Sequence, residues 1–440
     1  MTSEADAREA FVWVWLPGAT EPVVAARLDQ DGERLLFTYG ASYRRRKSAI
    51  PIYEPELPLQ EGTMAPIHGL SMASCIRDGS PDAWGRRVII NRLTGKKPDA
   101  AGLPEISELT FLLQSGSDRI GALDFQASST EYIPRLAAQA SLDELMEAAT
   151  LIEEGVPLPP ALDQAINHGT SIGGARPKAL INDGAKKFIA KFSAANDTYS
   201  VVKAEFIAMK LASACGLNAA LVSMTRAAQK DVLLIERFDR THTKGGWTRH
   251  AMVSALTMLG LDEMMARYAS YEDLAELIRH RFNDPKDTLK ELYGRMCFNV
   301  LCGNTDDHAR NHAAFWDGKM LTITPAYDIC PQGRTGSEAT QAMLIKGEGR
   351  ASTLATLLAA APDYHLREAE AAALIEQQIT TIATLWKEVC DEADLSPVDR
   401  KLFAGRQFLN SYALDGLDTH KALQDTFYNG RNTLLTSAGA

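Results

Sequence analysis

A short stretch of acidic and amide residues carries the side chains best suited to chemistry. It has the sequence NTDDHARN at 304–311, and Tyr327 and Asp328 follow after a hairpin pattern. In protein kinases one Asp orients the substrate hydroxyl, an Asn a few residues later holds Mg²⁺, and a second metal-binding Asp follows a short hairpin. Asp306, Asn311 and Asp328 occur in that order. The pattern therefore predicts a site for phosphoryl transfer.

The segments around this loop are of the kind needed to position it. Ahead of the loop, apolar residues recur at helical spacing until Gly303 and Asn304, which predicts a helix with one buried face. Those apolar residues are Leu289, Leu292, Tyr293, Met296, Cys297 and Val300. After the loop, strand-like runs at 312–316 and 319–324 flank Asp317 and Gly318, a pair typical of a type I′ hairpin.

The register of that hairpin decides where Asp328 lies. If Trp316 pairs with Lys319, the second strand returns Tyr327 and Asp328 to the level of the catalytic loop. Asn311 and Asp328 could then share a cation. Taken singly, an Asp in such a loop is equally well explained as the cap of a turn. The combined order of helix, loop, hairpin and Asp favours the kinase interpretation.

A nucleotide site also needs a cradle for phosphate, and a glycine-bearing turn lies upstream. The sequence TSIGGARPK at 170–178 precedes an apolar run at 179–181. Glycines in such a turn let backbone N–H groups close on phosphate oxygens. The turn is not a Walker A motif, because it does not end in Gly-Lys-Ser or Gly-Lys-Thr.

A lysine on the next strand is a candidate for binding the nucleotide phosphates. A hairpin at Asn182, Asp183 and Gly184 leads into a strand at 187–192 that contains Lys191. A two-residue loop would place Lys191 beside Arg176, near the glycine turn. That is the place of the kinase lysine that contacts α- and β-phosphates, although an edge strand often carries a solvated lysine.

Two further segments fit the same plan. Glu205 lies on an amphipathic helix at 201–215 that ends at Gly216, and it could pair with Lys191 as a kinase helix glutamate does; an exposed helical glutamate is the alternative. An apolar strand at 232–240 lies between the β-rich and the helical parts of the chain, where a hinge would offer backbone groups to adenine.

These motifs resemble the HipA family, the serine/threonine kinase toxins of bacterial toxin–antitoxin systems. The resemblance covers the chain from about residue 11 onward and follows the family's order. The matching segments are DGSPDAWGR at 78–86, SDRIGAL at 117–123, SIGGARPK at 171–178, IAK at 189–191, ERFDR at 236–240, TDDHARN at 305–311 and PAYD at 325–328.

The resemblance implies a role for each matching residue. It makes Asp306 the catalytic base, Asn311 and Asp328 the Mg²⁺ ligands, and Lys191 a contact of the ATP phosphates. The other implied ATP-binding residues are Gly173, Gly174, Ala175, Arg176, Pro177 and Lys178 in the phosphate loop, Glu236, Arg237 and Phe238 beside adenine, and His308, Ala309, Arg310 and Tyr327 in the nucleotide pocket.

The resemblance also implies regulation and partners. Ser171 stands where the family carries an autophosphorylated serine, and a phosphate there would compete with nucleotide for the same N–H groups; the alternative is that Ser171 only caps the turn. The implied partners are a DNA-binding HipB-like antitoxin and a protein substrate, an aminoacyl-tRNA synthetase, whose phosphorylation arrests translation. DNA would be contacted only through the antitoxin.

This sequence departs from the family pattern at a few positions. Asp307 stands where the family usually has Gly, and Arg310 where it usually has Lys. An extra carboxylate beside the metal site would either add a ligand or change the electrostatics of the pocket. The segment 346–350, which is lysine-rich and binds DNA in some relatives, has only two basic residues and one acid here.

Composition agrees with a soluble enzyme of the cytoplasm. The 440 residues are 45% hydrophobic and 23% charged, and the formal net charge of −10 disfavours non-specific binding to nucleic acid or anionic membranes. The basic run at 44–47 is interpreted as a solvated turn or a partner contact. The six cysteines include no CxxC pair, and neither a signal peptide nor a membrane-spanning apolar run is found.

The predicted fold class is α+β, a kinase-like two-lobed fold with a mixed, β-rich first half and a mostly helical second half. The expected divisions are a disordered tail at 1–10, a HipA-type N-terminal subdomain at 11–126, a helical connector at 127–164, a phosphate-loop region at 165–248 and a helical lobe at 249–440.

Two other functions use part of the same pattern. A metal-dependent hydrolase could employ a di-metal cluster of Asp306, Asp307, His308, His312 and Asp328. A weakly active kinase fold could act as a scaffold or co-repressor that binds an antitoxin. Magnesium-dependent transfer of the γ-phosphate distinguishes the kinase from both.

Overall fold

The computed structural model describes residues 7–97, 105–136, 140–166, 174–194, 197–334 and 336–439. Within these residues the strands are β1 Glu9–Val14, β2 Val23–Asp31, β3 Arg34–Tyr39, β4 Thr63–Met64, β5 Leu123–Gln126, β6 Lys178–Asp183, β7 Lys186–Phe192, β8 Val222–Ala227, β9 Lys230–Glu236, β10 Arg240–Thr243, β11 Gly246–Arg249, β12 Met252–Ser254, β13 Ala313–Trp316 and β14 Leu321–Ile323.

The helices of the same residues are α1 Ala41–Arg44, α2 Ser74–Arg77, α3 Ala83–Thr94, α4 Glu108–Gln114, α5 Leu142–Glu154, α6 Pro160–Ile166, α7 Val201–Ala214, α8 Ala255–Met258, α9 Tyr271–Arg281, α10 Pro285–Cys302, α11 Leu354–Ala360, α12 Glu368–Glu392, α13 Pro397–Phe403 and α14 Lys421–Gly439. The longest helices follow residue 200, and eleven of the fourteen described strands precede residue 250, so the predicted α+β class is confirmed.

Contacts divide the chain into two compact units, and each unit is built from separate stretches. The first unit contains 1–196, 225–253 and 315–320. The second contains 197–224, 254–314 and 321–440. The chain therefore passes from one unit to the other several times.

The first unit begins with an antiparallel sheet in the order β4-β3-β2-β1-β5. Its first strand starts at Glu9, so the predicted disordered tail is wrong for residues 9 and 10. Ala10 and Val12 are fully buried and alternate along β1, as expected for a strand with one face on a core. A bulge between Val12 and Trp13 interrupts the register with β2.

A second sheet, in the order β6-β7-β9-β8, carries the strand with Lys191. Its inner face packs on α3 and α5 through Trp84, Ile152, Ala190 and Phe192, all of which are buried. Ser141 and Glu144 form a capping box at the start of α5, and Gly155 ends that helix in the left-handed conformation.

Both predicted Asp-Gly hairpins form, but each loop is shifted by one residue. Asp183 pairs with Lys186, and the N–H of Asp317 bonds to the carbonyl of Met320 at 3.3 Å. Gly184 and Gly318 thus occupy the first loop position, with φ of 56° and 101°. A positive φ at the first position alone is typical of a type II′ turn, so the predicted type I′ turn was wrong.

The shift changes both predicted registers. Thr324 pairs with Ala313, since its N–H bonds to the Ala313 carbonyl at 3.1 Å, so the expected pairing of Trp316 with Lys319 was wrong. In the upstream hairpin Lys191 lies opposite Lys178, and the expected neighbour Arg176 was wrong.

The second unit is a helical body around α10 and α12. Apolar side chains of α10 are buried from Leu289 to Cys302, which confirms the helix predicted ahead of the catalytic loop. Ile375, Ile379, Ile382 and Trp386 of α12 are fully buried at helical spacing. Near the C-terminal end, α13 stops at Phe403, because the next residues turn at Gly405, whose φ is 70°.

No disulfide joins the six cysteines, all of which belong to the described residues. Five of them are buried and Cys330 is half-buried, which is usual for free cysteines that pack as small apolar side chains. Among the described helices, none combines the length and the apolar character needed to span a bilayer.

Candidate active site

The predicted catalytic loop leaves α10 through a glycine that no other residue could replace without strain. Gly303 has φ of 74°, and a Cβ at this position would lie 2.7 Å from the carbonyl oxygen of Gln407. The next residue, Asn304, bonds to Asn299 twice, through its backbone N–H at 2.9 Å and its side-chain Nδ2 at 3.0 Å. The start of the loop is therefore fixed to the end of α10.

Asp306 is the acidic side chain of the loop that faces solvent. Its pKa is raised above the ordinary 3.8 by partial burial and, against the opposing effect of His308, by the negative charges of Asp328 and Asp307. The negative charge of Asp328 thus acts on the pKa of Asp306, as expected for two carboxyl groups around one cation.

Asp307, unlike its neighbour Asp306, does not face solvent. Its side chain is buried, accepts a hydrogen bond from the Tyr271 hydroxyl, and lies 2.9 Å from Nε2 of His312. Burial alone would raise its pKa, but His312 and the two hydrogen bonds hold the pKa below the ordinary value. Asp307 is therefore engaged within the protein and does not add a ligand beside Asp306.

Asn311 and Asp328 supply the groups that could hold Mg²⁺. Asn311 lies in a short turn at Ala309–Asn311, and its Nδ2 bonds to the Asp306 carbonyl at 3.3 Å, so its amide oxygen is the atom that could ligate a cation. Asp328 has φ of 59°, a left-handed conformation that Asp tolerates better than most residues. Ahead of it, Ala326 pairs with Ala219, which fixes the approach of this segment.

The donor set fits Mg²⁺ bound together with a nucleotide. Mg²⁺ sites commonly use one or two carboxylates and complete their coordination with water and phosphate oxygens. Within the described part of the chain, no three His, Cys, Asp or Glu side chains converge as a metal site. The di-metal cluster considered from the sequence is not formed, because Asp307 and His312 bond to each other.

The remaining predicted residues of this loop have local partners. The Arg310 guanidinium forms an ion pair with Glu263, and the Tyr327 hydroxyl donates to the Arg310 carbonyl at 2.7 Å. Ala309 is buried. Nδ1 of His308 is buried and has no hydrogen-bond partner among the described residues. The loop and the Asp328 segment are thus joined through Arg310 and Tyr327.

The predicted phosphate loop is described from Gly174 onward, so Ser171 and Gly173 are outside the described residues. Gly174 has φ of 97°, and a Cβ there would lie 2.7 Å from Nζ of Lys178. Ala175 is exposed, Arg176 half-buried and Pro177 buried. The close approach of a lysine amine to the backbone explains why a glycine is needed.

Lys178 is a buried cation with an acidic partner that sequence reasoning missed. It is 1% exposed, and its Nζ lies 3.0 Å from the carboxylate of Asp82. The indole N–H of Trp84 donates to the Lys178 carbonyl at 3.1 Å, and the backbone N–H of Trp84 donates to the Gly174 carbonyl at 3.3 Å. The start of α3 therefore holds this loop. A spacing of 96 residues left no local pattern that could have revealed the pair.

Lys191 is half-buried and opposite Lys178. Glu205, in the second unit, is 2% exposed, so the alternative of an exposed helical glutamate was wrong.

The segment proposed to border adenine divides into different environments. Glu236 forms an exposed ion pair with Lys186 at 2.7 Å. Arg237 is 5% exposed and pairs with Asp118 and Asp239 at 3.0 and 2.8 Å. Phe238 is half-buried and packs edge-on against Phe315. The side chain of Arg237 is therefore part of a buried ion network, and its backbone N–H bonds to the Lys187 carbonyl at 2.8 Å.

Comparison with known proteins places these features in a family. Residues 14–126 match the HipA N-terminal domain, and residues 170–386 match the HipA-like C-terminal domain. Together these matches include the glycine turn, Lys191 and the loop that contains Asp306.

Individual relatives are distant. A protein of Sinorhizobium fredii named "Putative kinase Y4mE" is 25% identical over 254 residues, which cover 52% of this chain and 59% of that protein. The serine/threonine-protein kinase toxin HipA of Shewanella oneidensis is 25% identical over 183 residues, covering 36% of this chain and 42% of that protein. The chain thus matches these curated relatives over about half of their length.

A solved structure extends the similarity to the whole fold. The HipA chain solved with HipB and operator DNA from Shewanella oneidensis MR-1 superposes with a TM-score of 0.62 at 19% identity, over 97% of this chain and 96% of that one. Since two family domains match in order and the fold agrees along nearly the whole length, this chain belongs to the HipA family.

Proposed function

We propose that this chain is an ATP- and Mg²⁺-dependent serine/threonine protein kinase and the toxin of a toxin–antitoxin pair. The observation that carries the proposal is the arrangement around Asp306. Its carboxylate is exposed, interacts with Asp328 and shares a loop with Asn311, whose amide is held by the Asp306 carbonyl. The kinase names of two relatives support the same activity.

Asp306 would orient the substrate hydroxyl and accept its proton. A general base works best when its pKa lies near the working pH, which for a carboxyl means a raised pKa. The raised pKa of Asp306 is in that direction. Because Asp306 remains exposed, a hydroxyl on another protein can reach it.

Asn311 and Asp328 would hold Mg²⁺, which bridges the phosphates of ATP and offsets their charge during transfer. The hydrogen bond from the Tyr327 hydroxyl to the Arg310 carbonyl connects the two segments that carry Asn311 and Asp328. A second acidic ligand is not needed, since phosphate oxygens and water complete the coordination of Mg²⁺.

The first unit would supply the cations and backbone donors for phosphate. Lys191 and Lys178 are neighbours on one face of the β6–β7 hairpin, and Gly174 lies against the Lys178 amine. Two adjacent positive charges and an open glycine backbone favour an anion. Lys178 is buried against Asp82, whereas Lys191 is only half-buried, so Lys191 is the more accessible candidate for direct phosphate contact.

The partner we propose is a DNA-binding antitoxin similar to HipB, with DNA contacted through that antitoxin. The solved relative is described as a complex of HipA, HipB and operator DNA. In this chain Lys346, one of the two basic residues in the segment that contacts DNA in some relatives, forms ion pairs with Glu272 and Asp363 at 2.7 and 2.8 Å. These carboxylates lower the charge that the segment could offer to phosphate.

The substrate we propose is an aminoacyl-tRNA synthetase, with arrest of translation as the result, and the regulation is autophosphorylation of Ser171. Both rest on the family resemblance.

A labelling experiment tests the proposed function. Purified protein is incubated with γ-labelled ATP, Mg²⁺ and a cell lysate, and the labelled protein is identified by mass spectrometry. The expected result is a labelled serine or threonine on a lysate protein, absent with Asp306→Asn and without Mg²⁺. ATP binding without any transfer would instead support the scaffold.

A further inference from the structure

We propose that Asp307 is a positioning residue that fastens the catalytic loop to the helical body, with Tyr271 and His312 as its two anchors. The inference rests on the proposed function, because it assigns a role in the placement of Asp306. It concerns a buried carboxylate whose hydrogen bonds go to two side chains of the protein. The name Asp307 clamp is used below for Asp307, Tyr271 and His312.

Both anchors donate to one oxygen of Asp307. The Tyr271 hydroxyl and Nε2 of His312 converge on Oδ2, and the His312 contact is 2.9 Å long. All three residues are buried: Tyr271 is fully buried, and Asp307 and His312 are 3% and 4% exposed. Charge-assisted hydrogen bonds in a water-poor site are among the stronger contacts that a protein makes. Burying a carboxylate without such partners would be costly.

The anchors are themselves fixed to secondary structure. Tyr271 is the first residue of α9, and its N–H bonds to the Leu344 carbonyl at 2.9 Å. The His312 carbonyl accepts from the N–H of Ala255, the first residue of α8, at 2.7 Å. The rings of Tyr271 and His312 also meet edge-to-face, with centroids 5.6 Å apart. The clamp therefore joins the loop to two helices at once.

The residues on either side of Asp306 are held while Asp306 itself is exposed. On one side, the Thr305 carbonyl accepts from the Ala342 N–H at 3.1 Å. On the other side stands the buried Asp307. A carboxylate held at both neighbours has few directions open to it, which is the condition that catalysis by positioning requires.

The clamp also explains the unusual residue at 307. A glycine there would leave the Tyr271 hydroxyl and the His312 ring without their acceptor, so those two side chains belong with an Asp at this position. The presence of all three in one buried contact favours a specific support of the loop over an added metal ligand.

A pair of Tyr→Phe variants gives a matched test. Tyr271→Phe removes the hydroxyl that donates to Asp307. Tyr293→Phe, the control, removes an equally buried hydroxyl in the same unit that donates to the Leu357 carbonyl at 3.0 Å. Both lose one buried hydrogen bond, so a purely structural role predicts the same result for both.

The kinetic readout separates positioning from binding. We expect Tyr271→Phe to lower kcat for phosphate transfer by about tenfold and Asp307→Ala by about a hundredfold, the size expected for a misplacement of roughly 1 Å. Affinity for Mg·ATP, measured with a fluorescent ATP analogue, should change less than about threefold. Asp307→Asn, whose amide oxygen can still accept, should recover part of the rate. Equal kcat in Tyr271→Phe and Tyr293→Phe would overturn the proposal.

A second readout needs no catalysis and keeps the two proposals apart. Hydrogen exchange of backbone amides at 304–312 should be faster in Tyr271→Phe than in wild type, with amides of α10 unchanged and with Tyr293→Phe like wild type. If wild-type protein transfers no phosphate, the proposed function fails while this exchange result still decides the clamp. Unchanged exchange at 304–312 would show that Asp307 does not hold the loop.

Discussion

Lys191 lies directly opposite Lys178 on neighbouring antiparallel strands. The N–H of Phe192 bonds to the Pro177 carbonyl at 3.0 Å, so the lysine pair is of the non-hydrogen-bonded kind, in which side chains come closest. Two like charges so placed repel each other. The carboxylate of Asp82 offsets one of them at 3.0 Å, and an anion such as phosphate would offset both.

The Asp82–Lys178 ion pair should stabilise the first unit strongly. Asp82→Asn keeps the cap of α3 but leaves Lys178 buried beside an uncharged group. We expect a loss of about 3 to 5 kcal/mol in the free energy of unfolding, the usual effect of removing one partner of a buried ion pair. Urea denaturation measures it.

The control for Asp82→Asn is Glu108→Gln. Glu108 pairs with Arg86 at 2.6 Å, with both side chains about one-third exposed (33% and 32%). The expected loss is below about 1 kcal/mol, as for other solvated pairs. Equal losses in the two variants would mean that Lys178 has another sufficient partner.

Lys191 should contribute to nucleotide affinity. Lys191→Met removes one charge-assisted contact to phosphate, and loss of such a bond, worth about 1.5 to 3 kcal/mol, lowers ATP affinity by about ten- to a hundredfold. Lys186→Met on the same hairpin is the control, because Lys186 is exposed and pairs with Glu236. Calorimetric titration with Mg·ATP compares them. Equal affinities would remove Lys191 from the proposed site.

Substitution of Asp306 and substitution of Asp328 should impair phosphate transfer for different reasons. Asp306→Asn removes the base and should abolish phosphate transfer, by about a thousandfold or more, while ATP affinity stays near wild type. Asp328→Asn should lower both transfer and Mg²⁺-dependent ATP binding. Steady-state kinetics and equilibrium binding on the two variants separate these outcomes. Wild-type turnover in either variant would contradict the assigned roles.

Stability of the first unit should fall in acid at the pH set by Asp124 and Asp239. Burial alone would raise their pKa values, but Arg119 and Arg135 lower that of Asp124, and Arg237 and Arg240 that of Asp239, from the ordinary 3.8 to about 2. A carboxyl with a lower pKa in the folded state stabilises fully above its unfolded pKa. That contribution is lost as pH falls toward the folded value.

Urea midpoints should therefore be nearly constant from about pH 7 to about pH 5 and fall between about pH 4 and about pH 2. Asp124→Asn should be less stable at neutral pH and show a smaller fall in this window. An identical slope in the variant would show that Asp124 is not a source of the acid sensitivity.

Ser171 should act as an off switch if it is phosphorylated. Ser171→Ala should phosphorylate its target without silencing itself, and Ser171→Asp should bind ATP weakly, because an acid would face the N–H groups that receive phosphate. Mass spectrometry after incubation with ATP should find the phosphate on Ser171. Wild-type ATP affinity in Ser171→Asp would leave the serine as a turn cap.

The order of motifs could be predicted from sequence, whereas contacts between distant residues could not. The helix that ends at Gly303 follows from apolar spacing and a glycine stop, both local signals. The hairpins were placed correctly, but Asp-Gly fits two turn types that differ by one residue in register, and only the paired strands decide between them.

The partners of the buried charged residues could not be predicted from the sequence either. From the sequence, Lys178 and Arg237 were predicted to contact the nucleotide, and Asp307 was considered as a metal ligand. In the structure each of the three side chains is paired with another side chain of the protein. Asp118 and Arg119 do stand in the segment matched at 117–123, and Asp239 and Arg240 in that at 236–240. Complementary charges in two matched motifs were thus visible, but nothing local showed that they form one network.

The division of each unit into separate stretches affects how the chain folds during synthesis. Trp316 belongs to the first unit, where its ring nitrogen donates to the Pro51 carbonyl at 2.9 Å, across 265 residues of sequence. The ~60 residues made between 253 and 315 take about 3 to 12 s on a ribosome. Until then the first unit lacks the segment 315–320, so it cannot be completed. Because residues 304–311 precede this segment, the predicted catalytic loop has always been synthesised before the first unit can finish folding. We expect the unfinished unit to be accessible to chaperones or a partner during that interval.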